Sequence, residues 1–131
     1  VKTITRASLA VLLLLCLLAC AGRDAPPAAT ITPDELASRI EAGTAPLVLD
    51  VRSEQEYEAG HIPGAVLIPH DQLASRIGEL AGHENDEIVV HCKSGRRAAM
   101  AEEVLRDAGF TRVEDLEGHM IAWQQGGYPT E

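Results

Sequence analysis

The sequence predicts an α/β fold, a parallel sheet of short strands covered by helices on both faces. Two observations predict it. Leu47-Val48-Leu49, Val66-Leu67-Ile68 and Ile88-Val89-Val90 are continuous apolar runs too short for helices, which is how strands buried on both faces read. Between and after them lie stretches with apolar residues at helical spacing, bounded by capping and turn residues. The 131 residues, 46% hydrophobic and 24% charged, suit one globular domain able to bury a core without disulfides or a metal.

Thr32-Pro33-Asp34-Glu35 reads as a helix start, with Thr32 as N-cap, Pro33 at the first position and Glu35 completing a capping box. Leu36 and Ile40 form its apolar stripe and Gly43 closes it. The Leu47–Leu49 strand ends in Asp50. Glu54 to Gly60 is a short helical turn, and His61-Ile62-Pro63-Gly64 a turn. After the Val66–Ile68 strand comes a helix over Leu73–Leu80. Ile88–Val90 is the next strand, with Cys92 just beyond it. Arg97 to Ala108 is a helix stopped by Gly109, Val113 to Leu116 the last strand, and Ile121 to Gln125 a final short helix.

Ahead of the domain, Lys2 and Arg6 precede an uncharged run from Ala7 to Gly22, a basic region and short apolar core of the secretory kind. The run is shorter than the ~18–20 apolar residues of a spanning helix. Its end, Leu17-Leu18-Ala19-Cys20-Ala21-Gly22, resembles the lipobox of bacterial lipoproteins, in which the cysteine is lipidated after cleavage. Cys16 fits this pattern worse because Leu15 precedes it. The alternative is plain cleavage near Ala19 with Cys20 a small apolar residue. The expectation is therefore a leader over 1–19, a Pro/Ala-rich tether over 20–29 and the domain over 30–131. The protein would be exported to the periplasmic face and held by lipid on Cys20 to the inner or outer membrane.

The 20 acidic residues against 11 basic give a formal charge of −9, which argues against nucleic-acid binding and against attraction to anionic lipid. On so acidic a chain a cluster of cations stands out. His91-Cys92-Lys93-Ser94-Gly95-Arg96-Arg97 supplies one, at the carboxyl end of a buried strand where open α/β sheets bind ligands. Loop amides turned inward, the positive end of the following helix, and Lys93, Arg96 and Arg97 all favour an anionic sulfur. With Cys20 outside the domain, Cys92 has no partner for a disulfide within it. The alternative for Cys92 is a small buried hydrophobe.

Asp50-Val51-Arg52, Glu56-Tyr57-Glu58-Ala59-Gly60-His61-Ile62-Pro63-Gly64-Ala65, the Cys92–Arg97 loop and Leu116-Glu117-Gly118 through Ala122-Trp123 together resemble rhodanese domains, in the same order, over essentially residues 31–131. The resemblance implies a central parallel sheet of about five strands. It also implies sulfur transfer: Cys92 takes a sulfane sulfur from thiosulfate or a persulfide donor and passes it to a thiophilic acceptor such as cyanide or a thiol. Carried over residue by residue, Lys93, Ser94, Gly95, Arg96 and Arg97 form the active-site loop, Arg97 closes it, and Asp50 braces it from the neighbouring strand end or serves only as a turn carboxylate. Arg52 either contacts substrate or pairs with an acid. His61 shapes the turn before Pro63. His91 points away from Cys92. Trp123 closes the core.

No cofactor is implied. The five histidines lack metal-ligand spacing, so no metal is expected. One departure is His119, where the family commonly has a second glycine and a positive φ would suit histidine poorly.

Two other readings compete. Cysteine phosphatases and arsenate reductases carry His-Cys-X5-Arg, whereas here arginine falls one position earlier, at Arg97, and the next residue is Ala98. The shorter loop suits one persulfide sulfur better than a phosphate-sized anion. The domain could also be a persulfide carrier or interaction module without turnover.

Overall fold

A computed structural model describes residues 28–131. The expected leader, most of the tether and the lipidation site Cys20 lie outside the described residues. Five strands form one all-parallel sheet: β1 (Ala29–Ile31), β2 (Leu47–Asp50), β3 (Val66–Leu67), β4 (Glu87–His91) and β5 (Arg112–Leu116), in spatial order β1-β5-β4-β2-β3. Five helices accompany them, four between strands and one after the last: α1 (Pro33–Glu41), α2 (Glu54–Glu58), α3 (Leu73–Arg76), α4 (Arg96–Asp107) and α5 (His119–Gln125). The expected α/β class and sheet are present.

Strand alternation divides the core into two layers. Leu49, Ile88, Val90 and Val113 pack with Ala98, Ala101 and Leu105 of α4 on one face. Val48, Val89 and Leu116 pack with Leu36 of α1 and with Met120 and Trp123 of α5 on the other. Trp123 is fully buried and its indole N–H donates to the Pro129 carbonyl at 2.9 Å, so it closes the core.

Local signals acted as their chemistry dictates, with four differences. The Thr32 hydroxyl accepts the Glu35 amide at 3.2 Å, but the return half of the expected capping box is not made. A complete box forms instead at α2, where Ser53 Oγ accepts the Glu56 amide at 3.2 Å and Glu56 Oε2 accepts the Ser53 amide at 3.0 Å. The helix expected over Leu73–Leu80 is α-helical only to Arg76 and tightens to a 3-10 turn over Ile77–Leu80. The edge strand β1 begins at Ala29, within the Pro/Ala-rich stretch, because pairing with Glu114, Asp115 and Leu116 of β5 supplies hydrogen bonds no local pattern announces.

Parallel pairing sets Asp50 opposite His91, and the His91 carbonyl accepts the Val51 amide at 3.0 Å. The carboxyl ends of β2 and β4, the two central strands nearest Cys92, are thereby level. Everything chemically notable lies at that edge.

Candidate active site

Cys92 leaves β4 on the face covered by α4 and is 1% exposed. His91, one residue earlier, shares the parity of Val89 and turns to the other face. The loop after Cys92 closes quickly. The Gly95 amide donates to Cys92 Sγ at 3.0 Å, and Gly95, with φ 120°, is the residue from which α4 starts. That φ is one an L side chain rarely adopts. A methyl on Gly95 would also sit 2.7 Å from Nε2 of His119. Glycine is needed here for both reasons. The sulfur thus faces an inward-pointing amide and the positive end of a 12-residue helix.

The loop cations divide into two kinds. Lys93, Ser94 and Arg96 are exposed. Arg97 is half-buried and tied to Glu56 by two bonds of 2.7 and 2.9 Å. Arg97 holds the Glu56 carboxyl down at about 2, helped by the Ser53 bonds. Glu56 in turn, and more weakly the Cys92 sulfur, hold the Arg97 guanidinium charged more firmly than usual. The capping box of α2 therefore anchors Arg97.

Asp50 is fully buried, and its carboxylate accepts from the Arg52 amide at 3.0 Å, Nε at 3.0 Å and Nη2 at 2.7 Å. Arg52, 4% exposed, also donates to the Gly60 carbonyl at 2.9 Å. Asp50 makes no hydrogen bond to the Cys92–Arg97 segment; besides Arg52 it lies against His91, its Oδ2 3.6 Å from Nε2. Arg52 pairs with an acid and still lines two openings. One is a recess of about 200 Å³ shared with Glu56, Gly60, Lys93 and Met120. The other is a cleft of about 410 Å³ shared with His70, Arg76 and Arg97. Both linings are mixed in charge: Glu56 faces Arg52 and Lys93 across the recess, and Glu54 and Asp71 share the cleft with Arg52, Arg76 and Arg97.

His61 stacks on Tyr57 with ring centroids 3.7 Å apart, and its Nδ1 lies 3.0 Å from the Tyr57 carbonyl, so it shapes the turn. Sequence reasoning gave no weight to Glu56, and it treated His119 only as a departure. Glu56 was findable, since Ser53-x-x-Glu56 before a helix is a legible capping box. His119 approaches Cys92 only through the packing of α5.

The chain matches the family model described as "Rhodanese-like domain" over residues 32–126. It is 31% identical over 99 residues to a protein of Allochromatium vinosum named a sulfurtransferase, covering 76% of this chain and 91% of that one. It is 38% identical over 93 residues to YrkF of Bacillus subtilis, named a putative sulfur carrier protein, covering 71% of this chain and 49% of that one. The crystal structure of the Alr3790 protein from Anabaena is 35% identical and superimposes with a TM-score of 0.70, covering 77% of this chain and 81% of that one. The chain spans about half the length, or less, of several curated relatives it matches.

Proposed function

The chain belongs to the rhodanese-like domain family, and from that premise we propose that it is a sulfurtransferase working through a persulfide on Cys92. The Cys92 thiolate attacks the outer sulfur of thiosulfate, the sulfur–sulfur bond of the donor breaks, and sulfite leaves with the bonding pair. The resulting Cys92 persulfide anion gives its outer sulfur to cyanide or a thiolate, and Cys92 returns as thiolate. This is covalent catalysis in two half-reactions, with ping-pong behaviour expected.

The observation that carries the reading is the Gly95 amide 3.0 Å from Cys92 Sγ, at the start of α4 and beside Arg97. An amide, a helix end and a guanidinium that favour an anionic thiolate favour an anionic persulfide equally. Arg52 and Lys93 supply positive charge where an anionic donor would approach.

Intact-mass measurement after thiosulfate treatment tests this. The expected result is a gain of one sulfur, reversed by cyanide and absent in Cys92→Ser. No gain on the wild-type chain in the absence of reductant would overturn it. The likeness to a putative sulfur carrier favours a second reading, in which Cys92 loads sulfur but does not turn over. Saturable thiosulfate:cyanide transfer supports the enzyme, and loading without turnover the carrier.

We also place the protein on the periplasmic face of a bacterial membrane, held by lipid on Cys20. The basic residues Lys2 and Arg6, the short apolar run and Leu17-Leu18-Ala19-Cys20 support this. Fatty-acid labelling of the full chain in cells is expected and should vanish in Cys20→Ser. Labelling that survives the substitution, or none at all, refutes the anchor.

A further inference from the structure

Residue 119 has φ 53°, the one non-glycine in the left-handed region among the described residues. Histidine gains nothing from the backbone there, so its contacts must compensate. The residue is 5% exposed, and its ring lies against the Cys92 loop. Nδ1 accepts the Cys92 backbone N–H at 3.3 Å, and the next residue, Met120, donates its own N–H to the Cys92 carbonyl at 3.0 Å. Consecutive residues at the start of α5 thus hold both backbone polar groups of the nucleophile. The same ring lies against Gly95, whose amide points at the sulfur.

An imidazole can accept at Nδ1 only if its proton is on Nε2. Nε2 lies 3.4 Å from Oδ2 of Asp115, an acceptor suited to that tautomer. Behind Asp115, on α4, stands Glu102, bonded to Arg106 at 2.8 Å. Burial foremost, and then Asp115, raise Glu102 above the ordinary carboxylate range, while Oδ1 of Asp115 is buried without a hydrogen-bond partner. A proton on Glu102 shared with that oxygen would satisfy both. The charged and titratable groups around the ring are therefore Asp115 of β5, Glu102 and Arg106 of α4, His91 of β4 and Cys92 itself.

We propose that His119 is a positioning residue for Cys92: its Nε2-protonated ring accepts the Cys92 amide at Nδ1 and holds the backbone that carries the sulfur. This rests on the sulfur-transfer reading for its consequence, though the hold itself concerns only the reactivity of Cys92. If acceptance at Nδ1 is what matters, an uncharged acceptor in the same place serves as well and a residue without one does not. If only the backbone at residue 119 matters, glycine serves best.

Two variants of the full chain test it. Asparagine tolerates the left-handed backbone and places Oδ1 where Nδ1 sits, keeping an acceptor. Glycine relieves the backbone and removes the acceptor. The readouts are the rate constant for iodoacetamide alkylation, followed on the Cys92 peptide, and the rate of sulfur gain from thiosulfate, both at neutral pH. His119→Asn is expected to match wild type, and His119→Gly to be slower by about tenfold, the scale of one buried hydrogen bond.

His119→Gly reacting as fast as wild type overturns the proposal, as does His119→Asn reacting as slowly as His119→Gly. If His119→Gly does not fold, His119→Ala, which also lacks the acceptor, takes its place. Wild type that alkylates as expected but gains no sulfur refutes the sulfur-transfer reading and leaves the positioning role standing. Normal sulfur gain at the same rate in every protein refutes only the positioning role.

Discussion

Asp50→Ala is expected to cost about 3–5 kcal/mol of folding stability, more than its partner's loss of charge alone would suggest. Asp50 is fully buried and Arg52 4% exposed, and the two share a carboxylate–guanidinium contact reaching 2.7 Å. Removing the carboxylate strands a guanidinium in the interior with only the Gly60 carbonyl for company. The Arg52 backbone N–H loses its acceptor as well. The double variant Asp50→Ala/Arg52→Met is expected to recover part of the loss, since apolar groups can replace a buried pair at little net cost. Urea denaturation of the three proteins checks this. A single variant within about 1 kcal/mol of wild type would show that the guanidinium escapes to solvent. Because Arg52 lines the recess it shares with Lys93 and the cleft it shares with Arg97, the same substitution is expected to slow sulfur loading even where the protein stays folded.

Stability is also expected to fall by roughly 3 kcal/mol between neutral pH and pH about 4 on account of His91 alone. His91 is fully buried, and burial pushes its imidazole down from the ordinary 6.5 to about 4. Asp50 opposes that shift, but its Oδ2 lies 3.6 Å from Nε2, and Nε2 has no hydrogen-bond partner, so burial wins. The folded value lies below the unfolded one. Between the two the unfolded chain binds the proton and the native chain does not. The stabilisation is therefore complete above 6.5 and is lost as pH falls towards 4. Urea midpoints measured across that range should show a steep slope in wild type and a shallower one in His91→Gln, even if the variant is less stable throughout. Parallel slopes would mean that His91 accepts a proton in the folded state as readily as in the unfolded one.

Both predictions concern residues near Cys92 that the sequence placed but did not connect. Asp50 and Arg52 were visible as a strand end and its neighbour, yet residues two apart on an extended chain point the same way, and only the turn after β2 folds the guanidinium back onto the carboxylate. Glu56 and Arg97 are 41 positions apart and meet because α2 is set down beside the start of α4. His119 is 27 positions from Cys92, and its departure from glycine became informative only once its ring was seen against the loop.

What the sequence by itself determined is the fold class and the position of the candidate site. Buried strand runs, the Thr32 cap, the glycine-containing turn and a lone domain cysteine before Gly95 and Arg97 are local patterns, each dictated by sterics, backbone hydrogen bonding or charge within a few residues. Only the tertiary structure decided which groups hold that cysteine. The pairing of β1, the Asp50–Arg52 pair, the Glu56–Arg97 tether and the His119 contact each join or reorient elements through packing, and local propensity carries no information about which distant partner a buried polar group will find. Cys92 announced itself in the chain. Its supports did not.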